Sequence, residues 1–143
     1  MQLLTYTDYA LRVLIYVGSR PGAPVPTSAI ADAFDISSDH VAKAAKALTR
    51  HGLLRAVRGA KGGVQLNKEA TKIGVGDVVR LFEGDRGPVS CLRENDPAPC
   101  AIAPGCRLRH LFQRAEAAFY RELDQQTLAD LLENRQRLLQ LLH

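Results

Sequence analysis

The chain has 143 residues, 46% of them apolar and 24% charged, with a net charge of +4 and three cysteines. That length supports one domain with a core, or a small domain plus a dimerisation element, and the composition excludes extended disorder. No apolar run is long enough to span a bilayer, and the N-terminal MQLLTYTDYALR carries an acid and no basic stretch, so neither a membrane segment nor a secretory signal is expected. The expected location is the cytoplasm, where an odd number of cysteines stays reduced and open to metal or redox chemistry.

In chain order, the first predicted element is a helix capped by Thr7, with Asp8 in its first turn where the helix dipole favours a carboxylate. Ala10, Leu11, Leu14, Ile15 and Val17 form its apolar side, and it ends near Gly18. Pro21, Gly22, Pro24 and Pro26 make a loop delivering Thr27 or Ser28 as the next cap, followed by a short helix from Ser28 to Phe34. Asp35 to Ser38 turns the chain into a further helix from about Asp39 to His51, with Gly52 closing its C-terminus. Its apolar stripe is Val41, Ala44, Ala45 and Leu48, while His40, Lys43, Lys46 and Arg50 occupy the opposite face.

Two extended stretches, Leu53 to Val57 and Val64 to Leu66, flank Arg58-Gly59-Ala60-Lys61-Gly62-Gly63, a hairpin tip of small and basic residues. From His40 to Lys61 there are six Lys or Arg residues and no Asp or Glu, the electrostatic footprint of a polyanion partner. Helix, turn, helix and basic hairpin in this order predict a winged helix-turn-helix on double-stranded DNA. The expected contacts are Ser37, Ser38, His40 and Lys43 at the start of the recognition helix, Lys46 and Arg50 on phosphates, and Arg58 and Lys61 on the wing. A lysine-bearing helix face by itself is more often just solvated; the wing beside it decides for DNA.

Ile73 to Glu83 reads as a short helix with Val75, Val78, Val79 and Phe82 on one side. Beyond Cys106 a long helix carries Leu108, Leu111, Phe112, Ala115, Ala118 and Phe119 at three- and four-residue spacing, a seam suited to a partner helix in a homodimer. The Leu-rich tail from Thr127 to Leu142 reads as another packed helix. The predicted fold is therefore mainly α, with a winged DNA-binding domain over 1–84, a cysteine-bearing loop over 85–105, and a dimerisation helix with a C-terminal helix over 106–143.

All three cysteines, Cys91, Cys100 and Cys106, fall in one stretch broken by Pro97, Pro99 and Pro104, with Glu94 to Pro99 an expected exposed bulge. Their C-x8-C-x5-C spacing lacks the close pairs of zinc fingers and ribbons. Iron-sulfur clusters accept wider spacing, and three thiolates leave one corner for another ligand or an exogenous molecule. A thiol switch tuned by Arg93 or Arg107, and a zinc or structural role, remain alternatives on chemistry alone. An enzyme is not expected: four histidines stand outside any nucleophile motif, and no Gly-rich phosphate loop exists beyond the wing.

The stretches Leu3-Leu4-Thr5-Tyr6-Thr7-Asp8-Tyr9-Ala10-Leu11-Arg12, Val57-Arg58-Gly59-Ala60-Lys61-Gly62-Gly63, Ile73-Gly74-Val75-Gly76-Asp77-Val78-Val79-Arg80 and Cys100-Ala101-Ile102-Ala103-Pro104-Gly105-Cys106-Arg107-Leu108 resemble the iron-sulfur winged-helix transcriptional regulators that include NsrR and IscR. Leu123 to Leu131 is similar to the NsrR branch, which comprises nitric-oxide-sensing repressors. The resemblance implies a homodimer on a pseudo-palindromic operator, with Cys91, Cys100 and Cys106 holding a cluster, 4Fe-4S or alternatively 2Fe-2S, and nitric oxide as the signal. It also implies a fourth ligand, Asp8 from the partner subunit. The IscR type uses a histidine at the position of Arg109, which makes His110, one residue later, the runner-up. The gap between Cys91 and Cys100 is longer than is common in these relatives, an extension that costs a loop little in closure entropy. The remaining alternative is an IscR-like or thiol-based regulator not specific for nitric oxide.

Overall fold

The computed structural model of the protein describes residues 2–84, 86–93 and 100–142. The expected bulge at Glu94 to Pro99 lies outside the described residues. Helix α1 spans Thr5–Gly18, and it is sheathed on one side by α2 (Thr27–Phe34) and α3 (Ser38–Arg50). Ala10, Val13, Leu14 and Val17 of α1 meet Ile30 of α2 and Val41, Ala44 and Leu48 of α3 in one core, all at most 2% exposed. The spacing of these residues at three and four places each helix's apolar face inward. Asp35, in the left-handed conformation at φ 51°, ends α2, and the Ser37 hydroxyl starts α3 by accepting the His40 amide.

After Gly52, which takes φ 73° past the end of α3, strands β1 (Leu54–Val57) and β2 (Gly63–Leu66) pair antiparallel, Leu54 opposite Leu66 and Val57 opposite Gly63. Val25, ahead of α2, adds a third rung: its amide and carbonyl both bond Val64 at 2.9 Å. The wing is thereby tied into the helical head rather than hanging from α3 alone.

Helix α4 (Val75–Glu83) packs on α1 and on α5 (Arg107–Leu123). The tail differs from the single helix expected there. A capping box of Thr127 and Asp130 starts α6 (Leu128–Leu131), the chain leaves the helix over Leu132 to Asn134, and α7 (Arg135–Leu141) turns back toward the end of α1. Leu128 and Leu142 enter the main core, Arg135 Nε donates to the Ser19 carbonyl at 2.7 Å, and Arg20 donates to the Leu142 carbonyl.

The end of α5 is clamped to α4. Arg80 makes a two-pronged pair with Asp124 at 2.7 and 2.6 Å while lying over the Tyr120 ring at 4.5 Å. That hydrogen-bonded guanidinium holds the Asp124 carboxyl below the usual carboxylate range. The clamp therefore persists through neutral pH and loosens only as pH falls through that lowered value. Among the described residues no helix is long and apolar enough to cross a membrane.

Two expected caps are corrected. Leu4, not Thr7, precedes α1, and Thr7 is a fully buried first-turn residue whose hydroxyl donates to Glu83. Pro26, not Thr27 or Ser28, precedes α2, and no side chain caps that helix. In both places the chain enters the helix from an extended residue set by tertiary packing, which overrides the local preference for a hydroxyl cap.

Candidate nucleic-acid interface and cysteine site

Helix α3 divides as the sequence anticipates. Val41, Ala44, Ala45 and Leu48 are buried, and Ser37, Ser38, His40, Lys43, Lys46 and Arg50 are exposed along one side. Asp39 is the only acid in its first turn, and Arg50 lies in its last. Ser37 is more committed than a base-reading residue: its Oγ contacts His40 Nδ1 at 2.8 Å as well as the His40 amide at 3.3 Å. It thus fixes the His40 ring, which also lies 5.6 Å from the ring of Tyr9 on α1. Arg58 and Lys61 are exposed at the wing tip, where the Gly62 amide closes a turn onto the Gly59 carbonyl at 2.9 Å. Recognition helix and wing together offer a basic surface sized for a groove and its flanking phosphates.

The cysteines lie on the far side of α4. Cys91 is half-buried on a 3₁₀ turn, Ser90–Leu92, that packs against α5; Cys100 is exposed; Cys106 is half-buried at the N-cap of α5. All three are free thiols. The Cys106 Sγ accepts the Arg109 amide at 3.4 Å, so the start of α5 presents its N–H groups and dipole to this sulfur. On the same first turn, Arg109 Nε is buried with no hydrogen-bond partner among the described residues. Leu92, next to Cys91, lines a cleft with Glu116 and Tyr120, roughly 15 Å along α5 from Cys106 at 1.5 Å per residue. Consistent with that offset, among the described residues no three His, Cys, Asp or Glu side chains converge on a metal-sized point.

The donors therefore fit a thiophilic metal centre by chemistry: three free thiols, one of them at a helix start that favours anions. They do not close around one within a single chain. Asp8 is half-exposed in α1 and pairs with Arg12 Nε at 2.9 Å. His110 is exposed on the first turns of α5.

The long seam on α5 splits in two. Phe112, Phe119 and Tyr120 line a cleft of about 370 Å³ with Leu4, Glu83, Arg86 and Arg93. Leu108 and Leu111, 56% and 50% exposed, continue with Ala115 and Ala118 as an uncovered stripe.

Sequence reasoning missed the joint between these regions. Glu83, the last residue of α4, is 8% exposed, and its Oε1 accepts the Leu4 amide at 2.8 Å and the Thr7 hydroxyl. A glutamate ending a helix resembles any surface charge, and with Thr7 satisfying the local criteria for a cap no signal in the sequence pointed to it.

The family model for Rrf2, an iron-dependent transcriptional regulator, matches residues 3–134. Among solved structures, the chain is similar to CymR, the global cysteine regulator of B. subtilis, at 30% identity over 92% of this chain and 95% of that one, with a TM-score of 0.74. It is similar to the oxidised form of CymR from Staphylococcus aureus at 29% identity over 93% and 97% of the two chains, TM-score 0.76. T. potens IscR shares the fold at 24% identity over 94% and 88% of the chains, TM-score 0.73.

Proposed function

The chain belongs to the Rrf2 family of transcriptional regulators, and we propose that it binds a pseudo-palindromic operator as a homodimer and lets go when nitric oxide reacts with an iron-sulfur cluster held by Cys91, Cys100 and Cys106. The observation that carries the sensing part is the position of the three free thiols in the one segment linking the DNA-binding head to α5. A bound cluster would supply irons open to nitric oxide. The chain's own residues do the rest. The thiolates of Cys91, Cys100 and Cys106 would hold the group, the Cys106 sulfur standing at the start of α5 where it accepts the Arg109 amide. Asp8 of the partner subunit would be an oxygen ligand weaker than a thiolate. The oligomer is read from the Leu108, Leu111, Ala115 and Ala118 stripe, which is exposed along α5. Pairing through it brings two copies of α3 to one duplex.

A thiol-based readout is the second reading. It is favoured by the exposure of Cys100, and by likeness to a relative whose structure was solved in an oxidised form. One preparation separates the two. Purified without oxygen, the protein is expected to be coloured, to carry iron and sulfide, and to lose its visible absorption on nitric oxide titration. A colourless, iron-free protein whose DNA affinity responds to peroxide instead assigns the thiol reading.

Asp8→Ala is expected to alter the spectrum or the nitric oxide response of the coloured protein, with His110→Ala leaving both unchanged. An identical response in Asp8→Ala together with a changed one in His110→Ala would move the fourth ligand to His110. On the DNA side, Lys61→Ala is expected to weaken binding equally on operator and unrelated DNA and to lower the slope of log affinity against log salt by about 0.9. An unchanged slope would remove Lys61 from the phosphate contacts.

A further inference from the structure

We propose that Glu83 is the positioning residue through which the cysteine segment governs the recognition helix: its carboxylate supplies the acceptor at the start of α1, and α1 carries that position to α3. The proposal rests on the reading that the cysteine segment is the sensing element. The contacts form an unbroken series. Oε1 of Glu83 accepts the amide of Leu4, the N-cap residue of α1, and the hydroxyl of the fully buried Thr7. Leu4 offers no polar side chain to cap α1, so the helix start is fixed from 79 residues away. Phe82, the neighbour of Glu83, packs edge-on against Tyr6 at 5.3 Å between ring centres. The Tyr6 hydroxyl then donates to the Lys43 carbonyl of α3 at 2.8 Å, and Tyr9 lies against His40. One turn of α1 thus touches the end of α4 on one side and two residues of the DNA-facing helix on the other.

The other end of the series is equally direct. Gly84 follows Glu83 at φ 59°, where the chain turns out of α4 into the cysteine segment. Glu83 lines the same cleft as Arg86, Gly87, Pro88 and Arg93 of that segment and Phe112 and Phe119 of α5. A displacement of the segment therefore acts on Glu83 first. The joint has two discrete states because a buried carboxylate, a buried hydroxyl and a half-buried amide are all costly to leave unpaired. With the bonds made, α1 and the first turns of α3 are held together; with them broken, the Glu83 side chain must seek water and the start of α1 is released. A carboxylate is a poor choice for static packing at this site, where a serine or aspartate at position 4 would cap α1 locally. An acceptor delivered from the sensor side ties the two regions together instead.

The test compares wild type, Glu83→Ala, Glu83→Gln and Thr7→Val, purified without oxygen. Operator affinity is measured before and after a nitric oxide donor, and in parallel before and after iodoacetamide. Extent of reaction is followed by the visible spectrum and by mass. Wild type is expected to lose affinity by about tenfold or more on reaction. Glu83→Ala is expected to react to the same extent with its affinity changing less than about threefold, while Glu83→Gln, which keeps an acceptor oxygen, retains most of the wild-type ratio. A full wild-type ratio in both Glu83→Ala and Thr7→Val overturns the proposal. If wild type shows no ratio with either reagent, the sensing reading fails, and amide hydrogen exchange then decides the joint itself. Lost protection in Glu83→Ala at residues 4–8 together with 39–43 supports the link from α4 to α3; loss confined to 4–8 overturns it.

Discussion

Leu111→Glu is expected to yield a monomer and to lower operator affinity by about a hundredfold, with the helical head intact. The reasoning starts from the clamp at the other end of α5. The Arg80–Asp124 pair and the Tyr120 ring fix how α5 is rotated on α4, and that rotation sends Phe112 and Phe119 into the cleft and leaves Leu108, Leu111, Ala115 and Ala118 outside. Spacing of three, four and three makes this a coiled-coil type of stripe. Burying a leucine contributes about 1.5–3 kcal/mol, and a carboxylate at the centre of the stripe removes more than that leucine contributes. A single recognition helix with its wing binds one half-site weakly, and losing the second half-site removes the gain of binding both at once. Sedimentation and fluorescence anisotropy measure the two effects. Gln113→Glu, on another face of the same helix, is the control for added charge. A dimeric Leu111→Glu protein with wild-type affinity would place the interface elsewhere.

Gly63→Ala carries the largest expected cost in stability, about 3 kcal/mol, seen as a fall of roughly 10 °C in melting temperature. Gly63 takes φ 156°, in the range L side chains rarely adopt. A methyl group there would run into the backbone carbonyl of Val25 and the nitrogen of Pro26. Neither can yield cheaply, because the Val25 amide and carbonyl are both bonded to Val64 and Pro26 leads directly into α2. The substitution therefore breaks the rung that fastens the wing to the head, and DNA affinity falls with stability. Gly59 at the wing tip is the comparison. It too has positive φ, 115°, but nothing lies within 4 Å of an added methyl, so Gly59→Ala bears only the conformational cost of about 1 kcal/mol. Equal melting temperatures for the two variants would contradict this distinction.

The sequence announced those parts whose cause is local. The Val41, Ala44, Ala45 and Leu48 stripe and the glycine-rich hairpin after Gly52 obey short-range rules, so α3 and the wing lie where their periodicity and turn chemistry put them. What stayed hidden depends on residues far apart in the chain. Thr7 satisfies every local criterion for a cap, yet its hydroxyl serves Glu83, 76 residues away. Arg80 and Asp124, 44 residues apart, each look like ordinary surface charge. The apolar residues of α5 share one periodicity but serve two faces, and only the clamp determines which of them point inward. The cysteines were legible as a group and not as a geometry: Cys91 sits on a turn against the middle of α5 while Cys106 starts that helix. For the tail, Thr127 and Asp130 form a capping box at the start expected for that helix, while the break over Leu132 to Asn134 has no cap to announce it and leucines on both sides.

The decisive measurement is operator affinity of the anaerobically purified protein, with its iron and sulfide content determined on the same sample, before and after stoichiometric nitric oxide. The structure and the proposed function together predict a coloured, iron-bearing dimer whose affinity drops by about tenfold or more as the visible absorption is lost, and a Cys106→Ser protein that neither holds iron nor responds. An iron-free wild-type protein, or an iron-bearing one whose DNA affinity is the same before and after nitric oxide, would contradict it.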